Sequence, residues 1–164
     1  MKSEAAMGEG QREELSLSKA AEFLLDECRM VLPGIQALLG FQLIVVFSPG
    51  FDQKLGLVEQ RVHLLAIALV AVAVAIIMAP AAYNRQTGLR QVTDAFIRIC
   101  TRLLLLSMLP LAVGICLDFY LIAGVMLGGR PSALLATALF VVFVALWFVL
   151  PRAKMLQRIL GGHR

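Results

Sequence analysis

Charge is scarce in these 164 residues: 16 % are Asp, Glu, Lys or Arg, against 60 % apolar residues and a mean hydropathy of +0.84. So little polar surface cannot cover a water-soluble globule, and so much apolar surface excludes a disordered chain. Chemistry-bearing residues are few as well, with two His, three Cys and one Trp. The chain has no His-Glu-x-x-His, no Gly-x-Ser-x-Gly and no phosphate-binding glycine loop, the arrangements that place a metal, a nucleophile or a phosphate. Neither an enzyme nor a cofactor is expected, and no nucleic-acid partner. Cys28, Cys100 and Cys116 are too scattered for a metal site or a disulfide framework.

The chain does have long apolar runs. Four of them approach or meet the roughly 20 residues that carry a helix across a bilayer: about residues 31–47, 63–82, 103–125 and 133–150. The expected fold is therefore all-α, an integral membrane bundle of four transmembrane helices filling residues 31–150. The third run contains Asp118, and a central carboxylate costs about 2.5 to 3.5 kcal/mol to insert. Thirteen Leu, Ile, Val and Phe residues between Leu103 and Val125 offset it, each returning about 0.3 to 0.6 kcal/mol.

Twelve of the fifteen Lys and Arg residues fall in the N-terminal segment, the link between the second and third runs, and the C-terminal tail. Only Lys54, Arg61 and Arg130 lie on the other side. The positive-inside rule then places both termini in the cytoplasm of a multi-pass protein. The polar, acidic first thirty residues lack the short apolar core of a cleaved signal, so the first run is read as a signal anchor.

Residues 1–14 read as a disordered cytoplasmic tail. From 15 to 30, Leu17, Ala21, Leu24, Leu25 and Cys28 fall on one helical face and Lys19, Glu22, Asp26 and Arg29 on another, which predicts a cytoplasmic amphipathic helix with i,i+3 ion pairs. Pro33 and Gly34 should kink it, and Pro80 should kink or end the second span. Gly128-Gly129-Arg130-Pro131 is a minimal link, so the third and fourth spans are antiparallel neighbours. Residues 151–164 form a basic cytoplasmic tail with Met155, Leu156, Ile159 and Leu160 on one face, suited to anionic inner-leaflet lipids.

Asp118 is the foremost candidate for function, because an ionisable residue within a span is costly unless it is paired. Matching depths on antiparallel helices puts it within about a turn of His63, with Arg61 a little further out. Such a pair either locks two helices together or relays protons. Gln36, with Glu27, Arg29 and Arg85, forms a second candidate, a polar cluster at the cytoplasmic face with Glu27 bonded to Arg85 or Arg29. Ala71, Ala75, Ala79 and Ala82 make a small-residue stripe that admits a neighbouring backbone, from this chain, a second copy or another membrane protein.

Glu27-Cys28-Arg29 with Leu32-Pro33-Gly34-Ile35-Gln36, Phe41-Gln42-Leu43, Val46-Phe47, Phe51, and Ala79-Pro80-Ala81-Ala82 with Asn84-Arg85 resemble a family of small bacterial membrane proteins of unknown function. The resemblance covers roughly residues 20–125. Members often carry His-Arg after the Ala-Pro motif, where this chain has Asn84-Arg85. The resemblance implies the bacterial inner membrane, and some members carry the label sodium/proton antiporter. Two functions follow as expectations: a non-enzymatic membrane scaffold or accessory subunit, or a small oligomeric ion- or proton-coupled transporter using Asp118 and the Glu27–Gln36 cluster.

Overall fold

The computed structural model describes residues 2–87 and 93–152; for residues 2–16, Ser18, Asn84, Gln86 and Thr87 it describes the backbone alone. Among the described residues the chain is all-α, 94 % helical with no strands. The helices are α1 (Lys2–Val46), the short α2 (Phe51–Lys54), α3 (Leu57–Thr87), α4 (Asp94–Leu127) and α5 (Gly129–Val144), which continues as a π-helical turn over Ala145–Val149. Four segments, Lys19–Val46, Leu57–Tyr83, Asp94–Leu127 and Gly129–Arg152, are long and apolar enough to cross a membrane.

These segments are longer than the apolar runs, because helix-forming polar residues extend each one. α1 is helical from Lys2, so residues 2–14, expected as a disordered tail, are helix here; Ala, Glu, Met, Gln, Arg and Lys make up ten of these thirteen residues and favour helix, against Gly8 and Gly10. Pro33 lies inside α1, Pro80 inside α3 and Pro110 inside α4. Each removes one backbone donor, yet α3 runs on to Thr87 rather than ending at Pro80. The apolar face expected over Met155–Leu160 lies outside the described residues.

The chain divides into two compact units, Met1–Val45 with Val70–Pro110, and Val46–Leu69 with Leu111–Arg164. In the first, α1 turns Ala21, Ile35 and Gln42 inward, with Cys28 half-buried between them. These positions repeat every seven residues, the spacing of a helix-packing seam. From α3 the buried residues are Val70, Ala73, Ile77 and Pro80, and from α4 Phe96, Cys100 and Ser107. Tyr83 stacks on Phe96 with ring centroids 6.1 Å apart and joins the end of α3 to the start of α4. The alanine stripe is not this seam: Ala71, Ala75 and Ala82 are exposed. It lies about 150° around the helix from Val70, Ala73 and Ile77, whose mixed sizes fill the contact.

In the second unit His63 and Ala66 are buried on α3, Ala112, Cys116, Leu121 and Ala123 on α4, and Ser132 at the start of α5. α4 and α5 meet at a turn on Gly128, whose φ of 83° and ψ of 174° suit glycine almost alone. They approach so closely there that a β-carbon on Gly124 would sit 3.9 Å from Ser132 Oγ. At the far end of α5, Leu150 N–H bonds to the Ala145 carbonyl five residues back. This wide turn comes immediately before Pro151, which has no N–H to offer Trp147. Trp147 packs on Phe143 at 4.7 Å, and Arg152 lies 5.9 Å over the Phe148 ring.

The exposed surface is far more apolar than that of a soluble protein. Gln42, His63, Ser107 and Ser132 are buried, while Phe41, Ile44, Leu64, Val72, Leu106, Ile122, Leu134, Val141 and Leu146 are exposed. Hydroxyls within the spans are bonded to their own helix: Thr101 Oγ1 to the Ile97 carbonyl at 2.9 Å, Ser107 Oγ to Leu104 at 2.6 Å, Ser132 Oγ to Gly129 at 2.8 Å and Thr137 Oγ1 to Ala133 at 2.8 Å. Helices whose polar groups are satisfied internally and whose outward face is apolar fit hydrocarbon as solvent.

Candidate functional site

α3 begins at Leu57, so Glu59, Gln60 and Arg61 form its first turns and His63 stands at the head of its buried seam. Asp118 reaches the same place from the second half of α4. His63 Nδ1 lies 3.0 Å from Asp118 Oδ1, with the two side chains only 6 % and 15 % exposed. An ionised carboxylate can only accept, so in that state Nδ1 carries the proton and donates it to Oδ1. With Nε2 unprotonated the pair carries a net charge of −1; one further proton makes it neutral overall. Arg61, the other partner expected for Asp118, is exposed.

A short loop element covers the histidine. Gly50 takes φ 96° and turns the chain into α2, and the Phe51 ring sits 5.7 Å from the imidazole at a tilt of 56°. Gln60 fixes this loop from α3, donating from Nε2 to the Leu55 carbonyl at 3.0 Å and to Asp52 Oδ1 at 3.3 Å. An apolar ring on one side and a carboxylate on the other is the arrangement that removes a polar pair from water while keeping it bonded.

The second expected cluster does not assemble. Glu27, Arg29, Gln36 and Arg85 are all exposed, and Arg29 pairs with Asp26 at 3.4 Å rather than with Glu27. Among the described residues Glu27 and Arg85 make no ion pair. The cause is the orientation of α1: with Cys28 and Ile35 turned toward the unit, Glu27, Arg29 and Gln36 stand about 100° to either side. Gln42 is the inward amide of this helix, 3 % exposed. It continues the seven-residue series from Ala21, a signal present in the sequence but weaker to the eye than the Pro33-Gly34-x-Gln36 motif. Phe51 and Ser132 also gain places that spacing alone did not assign. Among the described residues no group of three His, Cys, Asp or Glu side chains is placed to hold a metal ion.

Residues 11–151 match a family of unknown function, DUF6328. The chain belongs to this family. The match extends beyond residues 20–125, on which the resemblance rested, and takes in His63, Asp118 and the whole of α5. No curated protein and no solved structure matches the chain.

Proposed function

We propose that this member of DUF6328 is a multi-pass protein of the bacterial inner membrane, with both termini in the cytoplasm, and that it acts as a non-enzymatic scaffold or accessory subunit. The observation that carries this reading is the His63–Asp118 pair: the two side chains are bonded to each other within the second unit, with the Phe51 ring against the imidazole. A scaffold uses buried polar groups to fix helices. Positive charge supports the orientation, since Arg85 on α3 and Arg98 and Arg102 on α4 flank one link and Arg152 follows α5, against Lys54, Arg61 and Arg130 on the other side. Partners on this reading are the bilayer itself, anionic lipids at the basic tail, and a second copy or another membrane protein on the exposed apolar faces.

One observation favours a second reading. A His–Asp pair able to gain a proton inside a span is what a proton-coupled transporter needs. Proton and sodium flux in proteoliposomes separates the two, comparing wild type, Asp118→Asn, Glu27→Gln and empty vesicles. The scaffold reading predicts that wild type equals empty vesicles. Flux above that level, lost in Asp118→Asn with the protein still folded, would overturn it in favour of transport.

A further inference from the structure

The first unit exposes a group of arginines that the pairing described so far does not use. α4 is capped by Thr93, whose Oγ1 accepts the Phe96 N–H at 3.3 Å. Arg98 and Arg102 follow, one turn apart and both exposed, and Arg102 is adjacent to the apolar run that starts at Leu103. Residues four apart share a helix face. Arg85, also exposed, lies in the last turn of α3. The Tyr83–Phe96 stack holds that end of α3 beside the first turns of α4, and Tyr83 itself is 51 % exposed.

None of the three guanidinium groups makes a hydrogen bond or ion pair among the described residues. The carboxylate nearest in sequence, Asp94, is one turn before Arg98 and likewise exposed and unpaired. Exposed forked cations with no internal acid, set where an apolar run begins, match a phospholipid headgroup in charge and geometry. We propose that Arg98 and Arg102, which share one exposed face of α4, form a site for the phosphate headgroup of an acidic phospholipid. The proposal rests on the membrane reading above and adds a lipid preference to it.

The test uses the full-length protein reconstituted in vesicles of equal phosphatidylglycerol and phosphatidylcholine, followed by extraction and quantification of the phospholipid that stays bound. Each arginine near an anionic surface strengthens binding roughly fivefold, so Arg98→Gln with Arg102→Gln should reduce phosphatidylglycerol enrichment by at least about fivefold. Phosphatidylcholine retention should not change. Millimolar inorganic phosphate should leave the enrichment intact; full competition by it would replace the lipid with a free anion and overturn the proposal. Equal enrichment in wild type and double variant would overturn it as well. Where the glutamine pair fails to enter vesicles, Arg98→Lys with Arg102→Lys keeps the charge and loses the fork, and enrichment at the wild-type level would count against bidentate recognition. Flotation with pure phosphatidylcholine vesicles checks the membrane reading independently, since it requires insertion but no acidic lipid.

Discussion

Replacing His63 by leucine is expected to lower the thermal midpoint of the purified protein in detergent by of the order of 10 °C. The substitution leaves Asp118 in a place only 15 % exposed with its histidine partner gone and the Phe51 ring still above the site. Removing one member of a buried charged pair typically costs about 3–5 kcal/mol, and a chain of this size loses about 2–4 °C per kcal/mol. The double variant His63→Leu with Asp118→Leu should recover most of the loss, because two apolar side chains need no partner. Circular dichroism melts of the single and double variants measure this. Equal destabilisation in both would show that the contact contributes packing and no electrostatic coupling.

Gly128→Ala is the second large effect. Its φ of 83° and ψ of 174° place it in a region that a β-carbon makes strained, while the added methyl would meet nothing within 4 Å. The cost is therefore conformational, about 1–3 kcal/mol. It falls on the turn that sets α4 against α5, where Gly124 and Ser132 approach closely. Gly129→Ala is the control: Gly129 has no positive φ and its space is also open, so this variant should melt about 1–4 °C above wild type. The same melts discriminate, and equal midpoints for the two alanine variants would contradict the argument from backbone strain.

The fold was legible because the length of an apolar run and the bilayer thickness are tied by helix geometry, and the four runs lead directly to α1, α3, α4 and α5. Helix ends were less legible. Length counting stops at the first charge, whereas Glu59, Gln60 and Arg61 are good helix formers and carry α3 back to Leu57. Asp118 and His63 could be matched in depth because antiparallel spans fix which residues are level. The outcome for Gln36 differs for a physical reason. Gln36 and Gln42 are about 120° apart around α1, and only the series Ala21, Cys28, Ile35 and Gln42 selects the inward one. Small size did not tell which face of α3 is filled: Ala71 and Ala75 are as small as Ala73 and yet exposed.

The proposed topology has four membrane crossings and both termini inside. In a cysteine-free background, single variants Lys54→Cys, Arg130→Cys, Arg85→Cys and Arg98→Cys can be treated with a membrane-impermeant maleimide in sealed right-side-out vesicles. The account predicts that positions 54 and 130 label at once and that 85 and 98 label only after permeabilisation. Labelling of position 85 or 98 in sealed vesicles, alongside 130, would contradict it.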